Sequence, residues 1–131
     1  SLELACQRAV SRTTFGRTLS RHQSVREDIS RSFSEIEMAR LLILKTCKLI
    51  DEQGPMATVD MIAATKTTVP LLVQTVIDRC MQLHGAGGFT EDYMMAEAFN
   101  YARWCKSADG PDQVHQMALG KQIINRFSGE A

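Results

Sequence analysis

Several things are missing from this sequence, and each absence closes off a class of protein. There is no net charge, because 15 Lys+Arg balance 15 Asp+Glu. A general nucleic-acid binder needs a basic excess, so that class is set aside. No apolar run approaches the roughly 18 residues of a membrane span. The longest aliphatic block is Leu41 to Leu44, and Lys45 ends it. The opening Ser-Leu-Glu-Leu-Ala-Cys lacks the basic start and long apolar centre of a signal peptide. There is also no initiator Met, so the expectation is a soluble intracellular piece that begins in the middle of a longer protein. The cysteines Cys6, Cys47, Cys80 and Cys105 are scattered with no Cys-x-x-Cys, which leaves no zinc or redox pair to read. Cys47 and Cys80 fall on apolar stripes and are expected to be reduced core thiols. No strand pattern persists anywhere.

Helical periodicity is what the sequence does contain. With 131 residues and 44% hydrophobic content, one core is affordable without disulfides, and we expect a single domain over 1–131. Leu4, Ala5, Ala9 and Val10 fall near one face of a helix from Leu2 to about Ser11. Ser24-Val-Arg-Glu27 has the capping-box form. Behind it Ile29, Phe33, Ile36, Ala39, Ile43, Cys47 and Ile50 recur at steps of three and four until Gly54-Pro55. Such a helix is about 45 Å long. A second long stripe runs Val59, Ile62, Lys66, Val69, Val73, Val76, Cys80 and Leu83, with Pro70 inside it. Pro70 is expected to kink the helix or free one hydrogen bond. Lys66 is expected to snorkel or to pair with a buried acceptor, in a structural role. Thr90-Glu-Asp-Tyr93 is expected to start a shorter helix through Met94, Met95, Ala98, Tyr101 and Ala102, and the last begins at Pro111, with Val114, Met117, Ala118, Lys121, Ile124 and Phe127 in rhythm. The expected fold is all-α: a four-helix up-and-down bundle with long helices plus a short extra helix.

Three segments carry more than the helices require. Arg12-Thr-Thr-Phe-Gly-Arg-Thr-Leu-Ser20 interleaves arginines with hydroxyls around a glycine. It reads as a loop, and guanidinium forks with nearby backbone N–H groups suit a phosphate or pyrophosphate; from spacing alone a solvated charged face is the more usual reading. Gln82-Leu-His-Gly-Ala-Gly-Gly-Phe89 has three glycines in four positions where one would stop a helix. Bare backbone there could meet a ligand or another chain. Ser107-Ala-Asp-Gly-Pro-Asp-Gln-Val-His115 joins two helices, with Pro111 at a helix start. Asp109 or Asp112 could cap that helix, or Asp109 could be a catalytic carboxylate beside a glycine. Asp112-x-x-His115 is the one near miss to a ferritin-like Glu-x-x-His ligand pair and has no second copy, so no metal site is expected.

Taken together in this order and at these separations, the three segments resemble the C-terminal helical domain of the acyl-CoA dehydrogenases. Arg12 to Gln23 is similar to the family's Arg-x-x-Phe-Gly…Gln segment, and Gln82 to Phe89 to its Gln-x-x-Gly-Gly-x-Gly motif, with Ala86 replacing one glycine. Asp109-Gly110 stands where the family commonly has Glu-Gly at the catalytic base. The wording Ala-Asp-Gly-Pro-Asp-Gln-Val-His looks nearest to the branch called family members 10 and 11.

The resemblance implies an FAD-dependent oxidoreductase that forms the α,β double bond of an acyl-CoA, as in fatty acid β-oxidation. By it, Asp109 would take the α-proton and Gly110 would lie against the substrate, while the β-hydride passes to flavin. Arg12, Thr14 and Gln23 would meet the FAD pyrophosphate and adjoining atoms, and Gln82, His84, Gly85 and Ala86 would line the adenosine side. In the family those segments serve a neighbouring subunit, so a homodimer or homotetramer is implied. Pro111 has no N–H, so Gln113 alone is carried over from the family's flavin-touching Thr-x-Gln stretch. Asp109 is one methylene shorter than glutamate; some branches place the base upstream instead. The resemblance also implies electron-transferring flavoprotein as a partner and a mitochondrial location in a eukaryote, cytoplasmic otherwise. The Gly129-Glu-Ala131 ending is not a peroxisomal Ser-Lys-Leu. The family's β-domain and N-terminal helical domain lie outside these residues, so this piece alone is expected to be inactive. Two alternatives remain: an interaction module without catalysis, and an acyl-CoA oxidase.

Overall fold

The computed structural model describes residues 1–128, so the Gly129-Glu-Ala131 ending lies outside the described residues. Among them are five α-helices: α1 (Leu2–Ser11), α2 (Gln23–Gln53), α3 (Val59–His84), α4 (Met95–Cys105) and α5 (Asp112–Ser128). The fold is all-α. The first of these matches the expected helix residue for residue. The segment expected as a loop contains a small antiparallel hairpin, β1 (Thr13–Thr14) with β2 (Arg17–Thr18), turned by Phe15 and Gly16 at positive φ. Single 3₁₀ turns cover Leu19–Arg21, Pro55–Thr58, Gly85–Phe89 and Glu91–Tyr93.

Helix α3 is the hub, packing against α1, α2, α4 and α5. Its Val76, Ile77, Cys80 and Met81 form one core cluster with Ala5 of α1 and with Met95 and Ala102 of α4. Met95 is wholly buried, a burial worth about 1.5–3 kcal/mol. Burial pushes the Cys80 thiol's pKa up, so this cysteine is held as an inert thiol. Pro70 lies inside α3, which continues through it.

The seam between α2 and α3 differs from the expected stripe. Ser32, Ala39 and Thr46, seven residues apart, are the buried side chains of mid-α2, and Ala63 is buried on α3. Small side chains let two backbones approach closely, and the Thr46 and Thr65 hydroxyls share a 2.6 Å hydrogen bond across the seam. Phe33, Ile43 and Cys47, expected in the core, are displaced to the exposed flank by that approach. Lower on the seam Arg79 grips Glu35 through two hydrogen bonds of 2.5 and 2.9 Å. These two cross-links run in opposite sense along the chain (46 to 65, 35 to 79), so α2 and α3 are antiparallel.

Helix starts also shift. Ser24 does not cap α2, which begins one residue earlier with His22 as cap residue; Glu27 instead accepts from the Gln23 side-chain amide at 2.8 Å. The helix expected to start at Thr90 starts at Met95 instead: Thr90 is extended, Glu91–Tyr93 is a 3₁₀ turn, and Met94 in a left-handed conformation leads into α4. Helix α5 begins at Asp112, and Arg126 near its end pairs with Asp60 of α3, holding that carboxyl below its usual pKa. Contrary to the expectation of no span-like stretch, Pro55–Phe89 reaches a mean hydropathy of 1.2 over 18 residues. That apolarity belongs to the helix on which the other four pack.

Candidate functional site

The end of the molecule where α3 stops gathers two of the three singled-out segments. Arg12 follows α1 and is exposed; its carbonyl accepts from Leu19 N at 2.8 Å, closing the base of the hairpin. Thr14 Oγ1 lies 3.5 Å from His22 Nε2, just ahead of α2. Gln23 opens α2 and lies about 18 Å before Glu35 along the helix. Because α2 and α3 are antiparallel and Glu35 is level with Arg79, Gln23 lies toward the end where α3 stops, about 13 Å beyond the level of Gln82. Gln82 and Ala86 are exposed there, and Gly85 has φ of +60° with open space where a Cβ would sit. A shallow concavity of about 410 Å³ on the α2 start is lined by Gln23, Arg26, Glu27, Ser30 and Arg31.

His84 behaves differently from its neighbours. It is 3% exposed, with Nδ1 2.7 Å from the Cys80 carbonyl and its ring 4.6 Å from Tyr93. The imidazole is therefore a core group of this chain. Gly88 is also committed inward, since a Cβ there would meet Met81 O at 2.7 Å. The glycine run thus combines one residue required by packing with an exposed stretch at Gly85-Ala86.

The Asp109 turn lies elsewhere. Asp109 and Gly110 both have positive φ, 52° and 99°. An aspartate in this left-handed conformation is strained and persists where surroundings hold it. Two helices do so here. Lys66 of α3 donates to Lys106 O at 3.0 Å, to Gly110 O at 2.7 Å and to Asp112 Oδ1 at 2.8 Å. His115 of α5 donates through Nε2 to Asp109 O at 3.0 Å. Lys106 O also accepts from Asp112 N, and Lys106 Nζ lies 3.7 Å from Asp112 Oδ2. Asp112 is therefore a buried partner of two lysines and caps no helix N–H. The Asp109 carboxylate is exposed and forms no hydrogen bond among the described residues. Gln113 is exposed on the first turn of α5.

Lys66 precedes Gln82 on α3 by about 24 Å of helix axis. The Asp109 turn and the Gln82 turn of one chain therefore belong to separate places. Sequence reasoning had given Lys66 a structural role; an ammonium on an apolar stripe was the available signal, but two of its three acceptors are backbone carbonyls, which leave no mark in sequence.

A family model for the acyl-CoA dehydrogenase C-terminal domain matches residues 1–124. The chain is 44% identical over 128 residues to mouse acyl-CoA dehydrogenase family member 10, covering 98% of this chain and 12% of that protein. To chicken acyl-CoA dehydrogenase family member 11 it is 41% identical, covering 92% and 16%. The fold superposes with a TM-score of 0.93 and 36% identity on a solved Mycobacterium abscessus protein assigned to the acyl-CoA dehydrogenases, covering 96% of this chain and 31% of that one. The chain thus spans a small part of the length of these relatives. It belongs to the acyl-CoA dehydrogenase family, as a C-terminal domain of that family.

Proposed function

We propose that these residues form the C-terminal domain of an FAD-dependent acyl-CoA dehydrogenase in which Asp109 removes the α-proton of the acyl-CoA. The observation that carries this reading is an exposed carboxylate with no hydrogen-bond partner among the described residues, on a turn whose backbone is fixed from two helices. A base must be free to accept a proton yet held in place, and this arrangement meets both needs. Gly110, with φ of 99°, leaves bare backbone beside it for the substrate.

The donors at the other end fit a pyrophosphate-bearing cofactor. Arg12 offers a guanidinium, half-buried Thr14 a hydroxyl, and Gln23 and Gln82 side-chain amides. These would hold FAD, with Gly85 and Ala86 admitting it closely and Gln113 reaching it from the Asp109 side. FAD when bound supplies the hydride acceptor. The 24 Å between Lys66 and Gln82 supports assigning the two ends to different active sites, one completed by a neighbouring subunit. Exposed Val114, Met117, Ile124 and Phe127 on α5 favour an oligomer interface as part of the same role. The proposal includes a single domain over 1–131 with a four-helix up-and-down bundle and α1 as the extra helix. It also includes electron-transferring flavoprotein as electron acceptor and a mitochondrial location in a eukaryote, cytoplasmic otherwise.

The test uses the full-length, FAD-loaded protein. Asp109→Asn is expected to slow anaerobic bleaching of the flavin by acyl-CoA by about 10²–10⁴-fold, the usual contribution of a positioned base. Bleaching at the parental rate would remove Asp109 from this role and move the base upstream.

A further inference from the structure

We infer that Lys66 is a positioning residue for the reaction, fixing the direction of the Asp109 carboxylate through the backbone of its turn; this rests on Asp109 being the base. An ammonium has three N–H donors. Lys66 spends one on Lys106 O, one on Gly110 O and one on Asp112 Oδ1, so none is left for solvent. Two of these acceptors are the carbonyls that bracket the segment from Ser107 to Gly110. The third belongs to the first residue of α5. One side chain on α3 therefore sets the end of α4, the turn and the start of α5 relative to one another.

The pair is well out of water, with side-chain exposures of 16% for Lys66 and 10% for Asp112. Buried ion pairs are weak sources of stability, and apolar replacements often serve a fold as well. What this pair supplies that an apolar pair would lack is two directional bonds to backbone carbonyls. The need for them is local. The Asp109 carboxylate has no hydrogen bond among the described residues, so its aim depends on the backbone at φ of 52°. His115 restrains Asp109 O from α5, but α5 is itself registered by Asp112 on Lys66. Release of Lys66 would loosen both restraints together. A carboxylate displaced by about 1 Å loses on the order of a hundredfold in rate.

The experiment compares variants of the full-length, FAD-loaded protein by anaerobic stopped-flow reduction with acyl-CoA. Lys66→Met removes all three donors and leaves the Asp112 charge with Lys106 alone, at 3.7 Å. Lys66→Met combined with Asp112→Leu removes both charges and keeps the volume apolar. The double variant is expected to retain FAD and oligomeric state and to bind acyl-CoA within about threefold of the parent. Its limiting rate of flavin reduction is expected to fall by about 10- to 100-fold. A merely structural role would lower stability or FAD content without that split between rate and affinity. Parental reduction rates in a folded double variant would overturn the inference. So would loss of FAD by both variants, which would make the clamp a folding element. Asp109→Asn, run alongside, separates the two ideas. If it bleaches normally, the base assignment fails; if it is inactive while the Lys66 variants are normal, only the clamp fails.

Discussion

At Gly88 an added methyl group would sit 2.7 Å from Met81 O and 2.9 Å from Met81 Cα. Both are backbone atoms of the hub helix and cannot swing aside. Gly88→Ala is expected to destabilise the domain by about 1–3 kcal/mol, the range for forcing extra volume into a packed site. Calorimetry of the full-length variant, with its FAD content measured in parallel, would register the loss as a lowered transition for this region. Gly85 presents the opposite case: space for a Cβ is open, and the backbone at φ of +60° is what favours glycine. The run of glycines was visible in the sequence as more than a helix stop needs. Which glycine meets its own chain and which faces outward was not, because that depends on how the turn folds back over Met81. His84 follows the same rule. Its place in the motif suggested a ligand face, whereas a carbonyl one helical turn earlier takes its Nδ1.

Along the elements, spacing located both long helices and the core face of α3 at Val76 and Cys80, but misplaced most of the buried face of α2. The three-four rhythm of Ile29 to Ile50 marks a helix, and α2 occupies Gln23–Gln53. Its buried line is Ser32, Ala39 and Thr46, shifted from the large residues toward small ones that permit close approach. Periodicity reports that a helix has a preferred side; it does not report a seam built on small side chains with polar cross-links. Arg79 and Glu35, which fix the register of that seam, stand out in no sequence pattern. The Glu35 carboxylate holds Arg79 more firmly protonated through its hydrogen bonds. Arg79→Met leaves Glu35 without its partner. For full burial that costs about 3–5 kcal/mol, and side-chain exposures of 20% and 18% reduce it to about 1–3 kcal/mol. Adding Glu35→Leu to Arg79→Met should recover most of the loss, read as a double-mutant cycle of denaturant midpoints.

The molecule as a whole exposes 8855 Å². A compact monomer of 14.6 kDa would expose about 6,900 Å² by the usual scaling. The excess is carried by side chains such as Phe33, Leu41, Leu44, Met117 and Phe127, apolar groups that a self-sufficient domain would cover. The all-α class and the order of the three segments were legible from residues because both are linear properties. The division of those segments between two ends of α3 was not, since it follows from antiparallel packing and from Lys66 reaching across to Gly110. That division has a genetic reading. On the proposed assignment, a subunit carrying Asp109→Asn would keep an intact cofactor end, and one carrying Arg12→Ala with Gln82→Ala would keep an intact acid–base end. Each homo-oligomer would be defective, yet co-expression of the two should restore a fraction of activity through mixed assemblies whose intact halves meet. The expected observation is complementation between two dead alleles, measured as acyl-CoA turnover by purified heterotypic oligomers against either parent alone.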